Sequence, residues 1–119
     1  MLDLVARLEE KLRSIDEQMV DPDFLSDQKK MIALNRERRR LESILEAGRR
    51  YREVRLGLDE AREIISAGGD PELVELAREE AATHEAQIEE VENDFKIKLL
   101  PRDPNDDKPA VVEIRAGTG

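Results

Sequence analysis

Apolar residues recur every three or four positions through most of the first hundred residues, and this spacing is typical of one face of an α-helix. The first run extends from about Leu2 to Met19 and stops at Asp21-Pro22. A second run begins after Ser26, which we expect to be its N-cap, and continues to Ile65. At 1.5 Å per residue, this second helix would be roughly 58 Å long. The pattern therefore predicts a helix much longer than those of ordinary globular domains.

A third helix is predicted after the segment "SAGGDPEL". Gly68 or Gly69 can adopt the left-handed conformation that ends a helix, Asp70 can cap the next one, and Pro71 suits its first position. The helix should end before Pro101. The predicted seam positions of the second helix are Leu34, Leu41, Ile44, Gly48, Tyr51, Leu58 and Ile65, and those of the third are Leu73, Ala77, Ala81, His84, Ile88, Val91 and Phe95.

The short predicted turn makes the two long helices an antiparallel hairpin, with the first helix against its open side. The expected fold class is all-α: a three-helix, antiparallel, coiled-coil-like bundle. Residues 27–65 contain eleven Lys and Arg against eight Asp and Glu, whereas residues 71–96 contain nine acidic residues and two basic ones. We therefore expect charge complementarity between the hairpin helices. Gly57, and after it Gly48, are the expected points for a bend.

The pattern changes after residue 98. Residues 99–110 form a linker bracketed by prolines, and residues 111–119 alternate in the manner of a β-strand. This strand has no ladder partner in the chain, so the expected organisation is a helical domain over 1–98, a linker over 99–110, and the first strand of a truncated α/β domain over 111–119. Pairing of this strand between two copies would give a homodimer.

Composition narrows the class of protein. The chain has no cysteine and no run of apolar residues long enough to span a bilayer, and its amino terminus does not resemble a signal peptide. We therefore expect a cytoplasmic protein. The net charge of −9 opposes indiscriminate binding to DNA or to an anionic membrane.

Two basic clusters on the second helix are exceptions to the acidic balance. "NRERRR" contains Arg38 and Arg39, and "GRRYR" contains Arg49 and Arg50. These arginines could contact an RNA backbone, although solvated faces of long helices often look the same. Because neither cluster contains an array of aromatic residues, stacking of bases is not expected.

The sequence matches known metal-binding, catalytic and phosphate-binding motifs only poorly. His84 is the only histidine, and "HEAQI" has Ile88 where a zinc protease needs its second histidine, so His84 is expected to be a seam residue. Asp103, Asn105 and Asp107 match the start of a calcium loop, but the later ligand positions do not match. The terminal Gly-Thr-Gly has no phosphate-binding helix after it. We therefore expect no metal, no cofactor and no enzymatic activity in this chain.

The segment "LLPRDPNDDKPAVVEIRAGTG" closely resembles bacterial class I peptide chain release factors. Its signature residues are Glu113, Arg115, Gly117, Thr118 and Gly119. Thr118 and the length of the linker favour the release factor 1 group over the factor 2 group, which typically has Gly-Ser-Gly here. The resemblance covers about the last fifth of the chain at the level of motifs, while the helical part agrees in length, pattern and the "GGDPEL" segment.

The resemblance implies a role in translation termination, in which the protein reads UAA or UAG and triggers release of the polypeptide. The family's Pro-x-Thr and Gly-Gly-Gln motifs, the second of which a glutamine methyltransferase modifies, do not occur in residues 1–119. The resemblance thus implies the amino-terminal piece of such a factor, without its catalytic residues.

In this family the first domain is a peripheral arm that lies toward the stalk base of the large ribosomal subunit. We expect Arg38, Arg39, Arg49 and Arg50, or the Gly68-Gly69 tip, to contact ribosomal components. The alternative is a self-contained coiled-coil adaptor or chaperone-like protein, which would leave the terminal signature unexplained.

Overall fold

The computed structural model describes residues 1–101, and all regular structure within them is helical. The helices are α1 (Leu2–Met19), α2 (Pro22–Leu25), α3 (Gln28–Ala67) and α4 (Pro71–Leu99). The all-α expectation is confirmed for this part of the chain. Most of the predicted linker and the whole of the predicted strand at 111–119 lie outside the described residues.

Aspartates begin three of the four helices. The side chain of Asp21 accepts a hydrogen bond from the Asp23 amide, that of Asp27 from the Lys30 amide, and that of Asp70 from the Glu72 amide. Each carboxylate thus satisfies an amide that has no partner within the helix.

The prediction that Ser26 caps α3 is wrong, because an unpredicted short helix, α2, precedes it. Ser26 lies at the C-terminus of α2, and its hydroxyl donates to the Asp23 carbonyl oxygen at 3.0 Å. Asp27, one residue later, caps α3 instead. At the other end of α3, Gly68 and Gly69 have positive φ of 72° and 93°, as expected for glycines in this turn, but the ψ of −139° at Gly68 differs from the predicted left-handed helical conformation.

The main hydrophobic core lies where α1 crosses the hairpin, and Gly48 is at its centre. A Cβ atom at this position would lie 2.9 Å from Phe95 Cε1 and 3.3 Å from Val5 Cγ2. Phe95 and Val5 are fully buried, and the Phe95 ring stacks on that of Tyr51 with 6.0 Å between centroids. Side chains from α1 and α4 therefore meet over the bare backbone of α3.

A second core cluster joins α3 and α4 alone, nearer the hairpin turn. Its buried residues are Leu58, Ala61, Ala77 and Ala81. Three alanines in this cluster allow the two helices to approach closely, without cover from α1. Leu73, predicted on this seam, is 55% exposed. Val74, three residues before Ala77, is partly buried in its place, so the seam begins with a step of three.

The acidic helix α4 does lie beside the basic helix α3, as predicted, but few ion pairs join the two. Within residues 1–101, the single ion pair between α3 and α4 joins Arg62 to Glu85 at 3.4 Å. Four ion pairs join α3 to α1 instead: Lys11–Glu37, Arg38–Asp16, Arg49–Glu9 and Arg52–Glu9. The basic residues of α3 are thus paired across helices chiefly with α1.

Replacing Gly48 with alanine should destabilise the fold by about 1 kcal/mol. Alanine favours a helix over glycine by about 1 kcal/mol, but overpacking a core costs about 1–3 kcal/mol. The Phe95 ring is fully buried, so neighbouring side chains must shift with it to make room for the new methyl group. Urea unfolding followed by circular dichroism measures the change.

The control is Ala33→Gly, at an exposed position of the same helix, which measures the propensity effect without the contact. If Gly48→Ala raised the free energy of unfolding by as much as Ala33→Gly lowers it, the close approach of the three helices would not constrain the fold.

Candidate nucleic-acid interface

The carboxylates of α1 neutralise one side of the basic helix α3. Glu9 accepts hydrogen bonds from Arg49 Nε at 3.1 Å and from Arg52 Nη1 at 2.7 Å. Asp16 accepts from Arg38 Nε at 2.6 Å, and Glu42 lies 2.6 Å from Nη1 of the same guanidinium. These arginines are therefore engaged within the chain itself.

The ion pairs of α1 shift the pKa values of their members. The hydrogen bond from Arg52, supported by Arg49, lowers the pKa of Glu9 from 4.5 to about 2. The same bond raises the pKa of Arg52, and the hydrogen bond to Asp16 raises the pKa of Arg38. Both arginines thus stay charged, and both are paired with carboxylates of the same chain.

A basic groove of about 890 Å³ lies beside the first part of α3, where α4 ends. We define the basic groove by its lining residues, which are Arg36, Arg39, Arg40, Ser43, Ile44, Ile97, Lys98 and Leu100. Arg36 and Arg39 are exposed and have no carboxylate within 4.0 Å among residues 1–101. Lys98 Nζ donates to Ser43 Oγ at 3.0 Å and so keeps its positive charge within the groove.

The remaining lining residues lower the positive charge of the basic groove and add exposed apolar surface to it. Arg40 lies 3.4 Å from Glu37, so its charge is partly offset. Ile97 and Leu100 are 64% and 65% exposed and form an apolar margin. None of the lining residues that the structure describes is aromatic, so the chemistry of the groove suits phosphate groups more than bases.

The six predicted contact residues do not form one site. Arg38 and Arg49 pair with acidic residues of α1. Arg39 lines the basic groove, whereas Arg50 is exposed and does not. Gly68 and Gly69 form the exposed turn at the opposite end of α3. The predicted residues Glu113, Arg115, Gly117, Thr118 and Gly119 lie outside the described residues.

Sequence reasoning placed Arg36 and Arg40 in a basic cluster that could contact RNA without singling them out, and it missed Lys98. Arg36 and Arg40 stand in the cluster "NRERRR", and their helical positions distinguish them from Arg38 only once the place of α1 is known. Lys98 comes from another helix. The antiparallel hairpin, which sets the end of α4 beside the first part of α3, was the available signal for it.

Other classes of site find no support in the part of the chain that the structure describes. No group of three or more histidine, aspartate or glutamate residues there is placed to hold a metal ion. His84, as expected, lies at the seam, with its ring against the backbone at Gly57. None of the described helices is long and apolar enough to cross a membrane.

Comparison with known proteins identifies the class to which this helical arm belongs. The model of the PCRF domain family matches residues 8–119, so the chain belongs to that family. The chain is 43% identical over its whole length to peptide chain release factor 1 of Alkaliphilus oremlandii, and 40% identical to that of Acidobacterium capsulatum. Release factor 1 of Streptococcus pyogenes is 41% identical over 98% of the chain.

The chain spans about a third of the length of these curated relatives: 34%, 33% and 33%, respectively. No solved structure matched the chain. The expected resemblance to release factor 1 is confirmed, and it extends through the helical part as well as the terminal signature.

Replacing Glu9 with glutamine should lower the free energy of unfolding at neutral pH by about 1–2 kcal/mol, since two guanidinium groups lose their shared carboxylate partner. The folded-state pKa of Glu9 lies below its unfolded value. The stability that it contributes is therefore fully present above pH 4.5 and is lost as the pH falls toward 2. Urea unfolding across this pH range measures the difference between wild type and Glu9→Gln.

Glu10→Gln is the matched control, because Glu10 is exposed and, among residues 1–101, pairs only with nearby Arg13. We expect it to cost less than about 0.5 kcal/mol. A difference between wild type and Glu9→Gln that stayed constant from pH 7 to pH 2 would contradict the assigned pairing.

Proposed function

We propose that this chain is the amino-terminal helical arm of a translation termination factor of the release factor 1 kind. In the full-length protein, that factor would direct release of the polypeptide from ribosomes at UAA or UAG. The identity of 43% over the whole chain to a protein of that name supports the proposal. The family match over residues 8–119 includes the terminal segment, which a self-contained adaptor would leave unexplained.

The arm itself would bind the ribosome and perform no chemistry. The domain boundaries follow the sequence pattern, with the arm over 1–98, a linker over 99–110, and the next domain from 111. The reactive and codon-reading motifs, and the glutamine that a methyltransferase modifies, would belong to the remaining two thirds of the protein. Its place of action would be the cytoplasm, where bacterial ribosomes work.

The basic groove would be the part of the arm that contacts ribosomal RNA, in the region of the stalk base of the large subunit. The observation that carries this assignment is the presence of Arg36 and Arg39, two cations without carboxylate partners among residues 1–101, beside Lys98. Such cations gain most from phosphates, because they release condensed counterions and break no internal pair. Arg50 and the Gly68-Gly69 tip would be secondary contacts, whereas Arg38 and Arg49 would have to abandon internal partners.

A chimeric factor tests both parts of the proposal. Residues 1–119 would replace the matching third of release factor 1 from Alkaliphilus oremlandii, and peptide release would be measured on ribosomes stopped at UAA or UAG. We expect the chimera to release peptide at both codons. Arg36→Gln with Arg39→Gln should raise KM about three- to tenfold, with little change in kcat, because these residues would contribute binding and not catalysis.

The control is Arg7→Gln with Arg13→Gln, which removes the same charge from exposed positions of α1. It should leave KM nearly unchanged. The groove variant should also reduce the slope of log affinity against log salt by about 2, one for each lost phosphate contact. An inactive but folded chimera would refute the termination role, and equal effects of the two charge variants would refute the groove as the RNA contact.

A further inference from the structure

A second groove, of opposite charge, lies between α3 and α4 nearer the hairpin turn. We call it the acidic groove. It has a volume of about 620 Å³ and is lined by Glu53, Gly57, Glu60, Leu76, Glu79, Glu80, Thr83 and His84. Glu53 and Glu60 are two turns apart on α3, and Glu79 and Glu80 face them from α4. The groove is therefore built from both helices of the hairpin.

Its four glutamates share the lack of a close cationic partner with several other exposed carboxylates of α3 and α4, but these four surround a single groove. None of Glu53, Glu60, Glu79 and Glu80 has a basic group within 4.0 Å among residues 1–101. All four are exposed. Glu9 and Asp16, by contrast, are held by arginines of α3. Four unneutralised negative charges around one depression create a local field that attracts a cationic partner.

Exposed leucines give the same region an apolar character. Leu76 lines the acidic groove and is 52% exposed, and Leu56 and Leu73 are 49% and 55% exposed. Leu56 stands three residues after Glu53, and Leu73 three before Leu76, so each lies on the same side of its helix as a lining residue. All three leucines are about half exposed, so α1 leaves them uncovered.

The floor of the acidic groove contains an unsatisfied polar atom. A Cβ at Gly57 would lie 2.6 Å from His84 Nε2, so the imidazole lies directly against the backbone of α3. His84 Nδ1 is buried and is the single such side-chain atom without a hydrogen-bond partner in the described part of the chain. A buried nitrogen without a hydrogen-bond partner lowers the stability of the fold unless a binding partner supplies the missing hydrogen bond.

We propose that the acidic groove is the docking site for a basic, amphipathic segment of a protein partner. Leucines on the groove would take the apolar face of that segment, and the four glutamates would take its lysines or arginines at the rim. RNA and anionic membranes would be repelled by the same carboxylates. A second copy of this chain is disfavoured because each copy carries a net charge of −9.

A designed peptide probes the acidic groove directly. The probe is a fluorescent peptide of leucine and lysine whose leucines fall on one helical face, and its binding to the whole chain is followed by anisotropy. We expect Glu79→Gln with Glu80→Gln to weaken binding about tenfold. Leu76→Ser should weaken it to a similar extent, because it removes the apolar contact.

The control is Glu89→Gln with Glu90→Gln, an exposed pair on the same helix with the same charge and spacing, outside the acidic groove. It should change binding by less than about twofold. A second peptide of identical composition, with its leucines scattered around the helix, should bind at least about fivefold more weakly, because it lacks an apolar face.

If the two double glutamate variants weakened binding equally, the proposal would be wrong, because the overall negative charge of the chain would then explain the binding. Equal binding of the two peptides would overturn it as well, because the leucines would then have no role.

Sedimentation of the chain alone supplies a third test. A dimer that dissociates on Glu79→Gln with Glu80→Gln would assign the acidic groove to a second copy, whereas a monomer would support the proposal.

Discussion

The position of α1 across the hairpin determines most of what the molecule can do with its charges. It is fixed at Gly48, where the absence of a side chain allows Val5 and Phe95 to meet over α3. From this point, the ion pairs of α1 reach along α3 as far as Arg52, and the second core cluster nearer the turn is built from α3 and α4. A shift of α1 by one turn would change both which arginines are neutralised and which leucines are covered.

The main effect of the ion pairs between α1 and α3 is to determine which arginines of α3 are held by internal carboxylates. Their contribution to stability is smaller. Exposed pairs of this kind contribute only about 0–1 kcal/mol each. They do, however, bind Arg38, Arg49 and Arg52 to internal carboxylates, whereas Arg36 and Arg39 have no carboxylate partner among residues 1–101 and so are available to a partner. A basic cluster that looks uniform in the sequence is thus divided into structural and available charges.

Periodicity was enough to predict the three long helices, the glycine turn and most buried positions, because those features follow from local spacing. It placed the cap of α3 one residue early, since the four-residue helix α2 is too short to carry a period. It placed the acidic α4 beside α3 but did not indicate that the ion pairs of α3 with other helices form mainly with α1. Net charge along a segment does not reveal which face bears it, and Glu9 and Asp16 of the less charged α1 face α3 directly. Lys98 could not be assigned to a site without the register of the hairpin.

The two grooves can act independently although they share the same pair of helices. Arg40 and Glu53, the nearest charged lining residues of the two grooves on α3, are separated by thirteen positions of one unbroken helix, or about 20 Å at 1.5 Å per residue. The Debye length at physiological ionic strength is about 8 Å, so neither groove neutralises the field of the other. The continuity of α3 through Gly48 and Gly57 also fixes their separation. A stiff hairpin of this kind can hold a polyanion at one groove and a basic protein segment at the other, each at a fixed distance along a single helix.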